Sequence, residues 1–160
     1  MKTYVLMIAK RFPVNHPKAG KQTDLGLHIW NGTKIHTIRS NYDLWKKRET
    51  LVNTHKAYVS GRQWTGKPYR STQDELFDFT SIRVQKLYFT DNTFSSAIID
   101  GVLFADIGPT LAMNDGLNFH DFQAWFKGHN ISKPLALIQF SDFTYQIGKP
   151  LQPVDKWVCV

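Results

Sequence analysis

The chain has 160 residues, of which 42% are hydrophobic and 21% are charged, a composition typical of a soluble globular protein with one domain. Lysine and arginine exceed aspartate and glutamate by seven, which indicates a polyanion such as nucleic acid, or an anionic small ligand, as partner. The single cysteine, Cys159, excludes an internal disulfide and a cysteine-based metal cluster.

The N-terminal residues predict a buried strand and not a targeting segment. The apolar run from Tyr4 to Ala9 is too short for a signal peptide, and it reaches Lys10 and Arg11 without a small-residue cleavage site. No apolar run approaches the roughly 18 residues that a membrane-spanning helix needs. Together with the low cysteine content, these features predict a cytoplasmic protein without a membrane partner.

The elements predicted in the first half of the chain are short and separated by loops. Prolines, a glycine and several basic side chains predict a long loop over residues 10–23. Polar residues that can cap helices, an Asn-Gly pair and runs of β-branched residues predict the next four elements. These elements are a helix capped by Thr23 and ended by Asn31-Gly32, a strand over 33–39, a helix over 42–48 capped by Asn41, and a strand over 57–64.

The second half predicts more strands and one well-marked helix. Asn118, followed by aromatic residues at helical spacing, predicts a helix that ends at Gly128. The strand predicted over 135–145 begins with apolar residues on both faces, which favours a central position in a sheet. The other elements are a strand over 77–90 with register changes near Ser81 and Lys86, and a short strand near 101–104.

Strands outnumber helices in this pattern, and the helices are short. The pattern predicts an α+β fold in which a small, mixed β-barrel carries helices over its ends. We expect one domain over residues 1–160, in which residues 146–160 form a C-terminal extension anchored by Trp157.

The segment from Gly32 to Arg39 concentrates polar groups that suit an anionic or nucleobase-like ligand. It contains the Lys34 amine, the Thr37 hydroxyl and the Arg39 guanidinium. On a regular strand Thr37 and Arg39 share one face and Lys34 points to the other, so Lys34 joins them only if a turn or bulge reorients it. The alternative interpretation is a half-buried strand with a polar outer face.

Asp115 is a second candidate, because it lies between Asn114 and Gly116 just before the predicted helix. An acid before a glycine at a helix entry is commonly turn chemistry. If the fold brings Asp115 beside Lys34, however, the amine and the carboxylate would form a site with shifted pKa values.

The third candidate is a loop that interleaves cations with aromatic rings. Such a loop can hold phosphates and stack a base, or it can be a solvated hairpin tip whose rings pack inward. Its candidate ligand-binding residues are Arg62, Trp64, Lys67, Tyr69 and Arg70.

The six histidines are scattered and lack the spacing of metal ligands, so we expect no metal site and no cofactor. His36 is the only histidine inside a motif. We expect it to be a surface histidine on a strand.

Gly32, Lys34, Thr37 and Arg39 match the motif G-x-K-x-x-T-x-R of the ASCH domains, which share a fold with PUA-like RNA-binding modules. These domains also tend to carry a Glu-Gly pair that opens a helix, and Asp115-Gly116 stands in that place. Residues 137–143 look like the closing strand of the family. The chain therefore resembles this family from about Leu6 to Tyr145.

The resemblance implies a small, mainly antiparallel PUA-like β-barrel flanked by short helices, with a cleft along the motif strand. Some compact bacterial members hydrolyse the acetyl amide of N4-acetylcytidine. In this chain Thr37 would be the nucleophile, Lys34 its activator and Asp115 the proton-handling partner. Asp115 is one methylene shorter than the family's glutamate, and the loops at 10–23 and 62–70 look like additions to the compact hydrolases.

The sequence supports three alternative hypotheses about the function. The first is binding of RNA or a modified nucleoside or nucleotide against Thr37 and Arg39, with cations from Lys67 and Arg70. The second is an amidohydrolase that deacetylates N4-acetylcytidine-like nucleosides with Lys34, Thr37 and Asp115. The third is a non-catalytic scaffold for protein partners, which a large exposed apolar patch would favour. The oligomeric state is not predicted.

Overall fold

The computed structural model describes residues 1–153, which form an α+β fold of two sheets and four short helices. The predicted anchoring by Trp157 lies outside the described residues, as does Cys159. No helix within residues 1–153 is long and apolar enough to cross a membrane. The elements are β1 (Lys2–Met7), α1 (Leu25–Trp30), β2 (His36–Arg39), α2 (Tyr42–Asn53), β3 (Ala57–Trp64), β4 (Gln73–Phe79), β5 (Arg83–Phe89), β6 (Ala97–Ile99), β7 (Val102–Phe104), α3 (Gly108–Asn114), α4 (Phe119–Phe126) and β8 (Leu135–Gln139).

The first sheet has three strands in the order β1-β3-β4. β1 runs parallel to β3, and β4 runs antiparallel to β3. The register of β3 and β4 shifts between Gly61 and Arg62, as happens at a β-bulge. Beyond this shift the hairpin continues to Trp64 and to the loop of residues 65–72.

The second sheet has five antiparallel strands in the order β2-β8-β5-β6-β7. All five residues of β8 are buried, so the predicted central position of this strand is confirmed. β8 pairs on one side with β2, where Thr37 lies opposite Ile138, and on the other side with β5. The motif segment is therefore attached to the most buried strand of the molecule.

The predicted barrel is not confirmed. Strand pairing among residues 1–153 leaves two separate sheets, of which the first also contains a parallel pair. The two sheets meet through side chains, since the rings of Phe79 at the end of β4 and Phe140 after β8 stack with their centroids 4.4 Å apart.

The predicted long strand over 77–90 is wrong. The chain leaves the first sheet at Phe79, which pairs with Val59, and enters the second at Arg83, which pairs with Gln139. The register change predicted near Ser81 lies at this crossing. The strand predicted over 33–39 begins only at His36, and neither β6 nor α3 was predicted.

The helix caps predicted from the sequence are largely confirmed. Asn118 Oδ1 accepts a hydrogen bond from the Asp121 backbone N–H at 2.8 Å and caps α4, and Asn41 caps α2 in the same way. α2 continues to Asn53, five residues past its predicted end, and packs against β3, β5 and β8. At α1 the N-cap position is occupied by Asp24, without a side-chain hydrogen bond, while Thr23 Oγ1 accepts from the Leu25 N–H at 3.2 Å.

Candidate ligand-binding site

The residues before β2 follow an irregular path because their backbone bonds to helix ends and not to a neighbouring strand. Gly32 ends α1 with a φ of +78°, a conformation that favours glycine. The Lys34 N–H then donates to the His28 carbonyl, and the Ile35 N–H donates to the Asn114 carbonyl, both at 2.8 Å. This path removes the strand alternation that would have separated Lys34 from Thr37.

Lys34 is buried, and its ammonium is fully hydrogen-bonded. Lys34 Nζ donates to the His36 carbonyl at 2.8 Å, to the Asp115 carbonyl at 2.9 Å and to Asp115 Oδ1 at 3.0 Å. Three acceptors match the three N–H groups of an ammonium. Burial lowers the pKa of Lys34, and the charge of Asp115 partly offsets that effect.

Gly116 allows this close packing. Its φ is +85°, and a Cβ at this position would lie 3.1 Å from Lys34 Cβ and 3.1 Å from Leu25 Cδ2. A larger residue would meet both a backbone penalty and a steric one. The Asp-Gly pair singled out in the sequence therefore has a physical reason for its glycine.

Asp115 offers one oxygen to the protein and the other to open space. Oδ1 accepts hydrogen bonds from Lys34 Nζ and, at 3.3 Å, from His36 Nδ1. Oδ2 has no hydrogen-bond partner within residues 1–153, and Asp115 lines a cavity. Burial raises the pKa of Asp115, but the charge of Lys34 and the bonds from Lys34 and His36 outweigh burial and bring the pKa below its ordinary value.

The surface location expected for His36 is wrong, because its side chain is fully buried and contacts Asp115 and Tyr145. His36 Nε2 lies 2.8 Å from the Tyr145 hydroxyl, which in turn accepts from Asn114 Nδ2 at 2.8 Å. Burial lowers the pKa of His36 and raises that of Tyr145. Tyr145 was not among the predicted site residues, and its only sequence feature is its place at the end of the predicted last strand.

Four of the predicted residues line one cavity: Lys34, Thr37, Arg39 and Asp115. Its volume is about 30 Å³, room for about two atoms the size of a water oxygen. Apolar side chains from other elements complete the wall, among them Ile8, Leu25, Leu117, Trp125 and Phe126. The Thr37 hydroxyl makes no hydrogen bond with the described part of the chain, including none with Lys34.

Arg39 lies between this cavity and a larger groove and lines both. Arg39 Nη2 donates to the Met7 carbonyl at 2.6 Å, whereas the buried Nε has no hydrogen-bond partner among residues 1–153. Burial lowers the pKa of Arg39, although a guanidinium remains charged at neutral pH. A buried N–H without an acceptor is costly to stability.

The groove has a volume of about 450 Å³. Its lining comes from the end of β1, the loop after β1, Arg39 and the end of the β3–β4 hairpin. The lining residues are Met7, Ile8, Ala9, Lys10, Arg11, Phe12, Pro13, Val14, Arg39, Trp64, Thr65, Gly66 and Pro68.

The long loop predicted over residues 10–23 packs against α4. His16 Nδ1 accepts from the Lys18 N–H, so His16 Nε2 carries the proton and donates to the Asp121 carbonyl at 3.0 Å. Lys18 Nζ also lies 2.7 Å from Asp121 Oδ2, and the rings of His16 and Phe12 stack at 4.4 Å. These contacts hold the Phe12 wall of the groove in place.

The five predicted loop residues do not act as one surface. Trp64 lines the groove. Arg62 is bound to the sheet instead, with Nε donating to Ser60 Oγ at 2.9 Å and Nη2 lying 3.3 Å from Glu75. Lys67, Tyr69 and Arg70 are exposed at the hairpin tip, and the Tyr69 ring lies 5.2 Å from the Trp64 ring.

No protein-family model, curated protein or solved structure matches this chain. The resemblance to ASCH domains thus rests on the motif residues and on the sequence order of the elements.

Proposed function

We propose that the protein binds RNA, or a modified nucleoside or nucleotide, with a ring in the groove and a small substituent in the cavity. The observation that carries this proposal is Arg39, which lines both the small cavity and the larger groove. A planar guanidinium at that point suits a base edge or a phosphate.

The volumes of the groove and the cavity support a ligand whose ring lies in the groove and whose small substituent lies in the cavity. A groove of about 450 Å³ lies within the roughly 300–1,000 Å³ of typical small-molecule sites. The cavity of about 30 Å³ cannot hold a ring, so only a small group can reach Thr37 and Asp115. Trp64 lines the groove and is an aromatic ring on which a base can stack.

The positive charge of the chain supports a phosphate-containing ligand. Lys10 and Arg11 line the groove, and the exposed Lys67 and Arg70 lie in the hairpin loop whose residues Gly66 and Pro68 also line it. With a net charge of +7, these side chains would attract a nucleic-acid backbone and release counterions when it binds.

We also propose that the chain is an ASCH-like domain whose two sheets take a PUA-like arrangement. The match of Gly32, Lys34, Thr37 and Arg39 to the family motif supports this assignment. The placement of Asp115 beside Lys34, with both residues lining the same cavity, adds to it.

The proposal is tested with a fluorescein-labelled single-stranded RNA of mixed sequence and about ten nucleotides. Fluorescence anisotropy at several salt concentrations gives the dissociation constant and its salt slope. We expect Lys67→Ala combined with Arg70→Ala to weaken binding and to reduce the slope by about two. The matched control combines Lys56→Ala with Lys127→Ala, which removes two exposed cations away from the groove. A lack of binding, or binding that ignores salt, overturns the proposal.

A second candidate function is hydrolysis of the acetyl amide of N4-acetylcytidine-like nucleosides. It is favoured by the Thr37 hydroxyl and Asp115 Oδ2, which have no partner within residues 1–153 and belong to residues lining the same small cavity. Against it, the three N–H groups of Lys34 already have acceptors, so Lys34 would have to give up one of these bonds to activate Thr37. The reaction would consume water and yield acetate and cytidine.

Incubation with N4-acetylcytidine and chromatography of the released cytidine test this candidate. Activity that is lost in Lys34→Ala and in Thr37→Ala, with both variants folded, would support it. Activity that survives both substitutions would dismiss it.

The protein-scaffold alternative has one supporting observation. Leu27 and Trp30 on α1 are exposed by 59% and 77%, and the Trp30 ring lies 6.3 Å from the ring of Phe77. This apolar surface is separate from the groove residues, so Trp30→Ala should leave RNA binding unchanged.

A further inference from the structure

A chain of hydrogen bonds lies behind Asp115 on the side away from the cavity. It runs from Asn114 Nδ2 to the Tyr145 hydroxyl, from there to His36 Nε2, and from His36 Nδ1 to Asp115 Oδ1. Asn114 and Asp115 close α3, His36 begins β2 and Tyr145 follows β8, so three distant segments meet here. The side chains of His36 and Tyr145 do not line the cavity.

The ionised Asp115 sets the direction of donation along this chain. Its carboxylate only accepts, so His36 Nδ1 carries a proton and donates it to Asp115, and Nε2 of the neutral ring accepts the hydroxyl hydrogen of Tyr145. The Tyr145 oxygen accepts from Asn114 Nδ2, which also donates to the Leu151 carbonyl at 3.1 Å. A second proton on His36 would leave the hydroxyl hydrogen of Tyr145 without its acceptor, so the network favours the neutral ring.

The network fixes the rotation of the Asp115 carboxylate. Its Oδ1 receives both Lys34 Nζ and His36 Nδ1, and turning the carboxylate would break both bonds. Its Oδ2 is thereby left for the cavity, where Thr37 and Arg39 also contribute. An ionised carboxylate oxygen only accepts hydrogen bonds, so it recognises an N–H or O–H group and repels a carbonyl oxygen.

We propose that His36 and Tyr145 are positioning residues that hold Asp115 Oδ2 as an acceptor for a ligand substituent bearing a hydrogen-bond donor. This inference rests on the binding function proposed above. It assigns the ligand class more narrowly: a base with an amino group, or another small N–H or O–H substituent, is preferred over a base with a carbonyl group at that position.

The first test needs no ligand and follows the Asp115 carboxyl carbon by NMR during an acid titration of the full chain. The titratable and charged groups that face Asp115 are Lys34, His36 and Arg39 from the motif segment and Tyr145 from the segment after β8. His36→Phe removes the donor to Oδ1 and should raise the pKa of Asp115. His36→Asn retains an amide N–H near the position of Nδ1 and should restore most of the original pKa.

The second test measures binding of labelled homopolymeric RNA. Oligo(C) is compared with oligo(U), and oligo(A) with oligo(I), because the members of each pair differ by an amino group in place of a carbonyl. We expect the amino-bearing member of at least one pair to bind about tenfold more tightly. His36→Phe should remove most of this preference, His36→Asn should keep it, and Tyr145→Phe should reduce it.

The outcomes separate this inference from the proposed function. Ile99→Val, a substitution in the buried part of β6, serves as the control for a general loss of stability. If wild-type protein binds no RNA but His36→Phe raises the Asp115 pKa, the binding function fails and the positioning role stands. The positioning role is overturned if the Asp115 titration is unchanged in folded His36→Phe, and the donor rule is overturned if carbonyl-bearing RNA binds equally well or better. If His36→Phe does not fold, Tyr145→Phe takes its place in both measurements, with a smaller expected effect.

Discussion

Replacing Asp115 with asparagine removes the negative charge that lies 3.0 Å from Lys34 Nζ. At this distance, with an effective dielectric constant of about 20, the attraction between the two charges is roughly 5–6 kcal/mol. Asparagine keeps an oxygen that can accept from Lys34, so part of the contact survives. We expect the free energy of unfolding near neutral pH to fall by about 3–5 kcal/mol, the usual cost of an uncompensated buried charge. Urea denaturation followed by tryptophan fluorescence measures this change.

The loss should depend on pH, with a sign that is set by Lys34. Burial lowers the pKa of Lys34 from its ordinary value of 10.5, so the folded Asp115→Asn variant releases this proton while the unfolded chain still binds it. Because the unfolded state binds more protons in that interval, the stability of the variant rises as pH rises toward 10.5. Asp115 has a lowered pKa, so the wild-type protein instead loses stability as pH falls from 3.8 through that lowered value. The Asp115→Asn variant lacks the carboxyl group and therefore lacks this loss of stability in acid.

Two controls isolate the charge pair. Asp78→Asn removes an exposed carboxylate of β4 and should change the unfolding free energy by less than about 0.5 kcal/mol. The double variant Lys34→Met with Asp115→Leu removes both charges together and should be more stable than Asp115→Asn. The recovery should be partial, because the His36 Nδ1–H and the carbonyls of His36 and Asp115 lose their partners. A loss below about 0.5 kcal/mol in Asp115→Asn, or no recovery as the pH rises, would refute the reasoning.

Three further predictions concern the glycine, the groove and a helix cap. Gly116→Ala should destabilise the protein by about 1–3 kcal/mol in chemical denaturation. The control is Gly128→Ala, which has a similar φ of +88° but nothing within 4 Å of the added Cβ, so it should lower the free energy of unfolding by less. An equal decrease in both variants would contradict the packing role of Gly116. Trp64→Ala should weaken binding of the labelled RNA by about tenfold in anisotropy measurements, and Trp30→Ala, outside the groove, should not; equal effects would contradict stacking at Trp64. Asn118→Ala should lower the free energy of unfolding by about 1 kcal/mol through loss of the α4 cap, and an unchanged midpoint in urea would argue against that cap.

Features that depend on neighbouring residues could be predicted from the sequence. The limits of β3 agree with the prediction, and so do the end of α1 at Asn31-Gly32 and the Asn118 cap of α4. The last two are set by a glycine and by a side chain that reaches three residues ahead. The apolar residues on both faces of β8 indicated its central position for the same reason, because a strand covered on both sides needs no polar face. The grouping of Lys34, Thr37 and Arg39 as candidate ligand-binding residues also came from the sequence, although their roles stay predictions.

Features that depend on distant segments were decided only by the tertiary structure. Ser81 marks a register change in the sequence, but only the positions of two separate sheets make that change a crossing between them. His36 carries no sequence feature that distinguishes a surface histidine from one buried against Tyr145, 109 positions later. Local patterns report which face of an element is apolar, whereas the burial of a polar side chain depends on whether the folded chain brings it a partner.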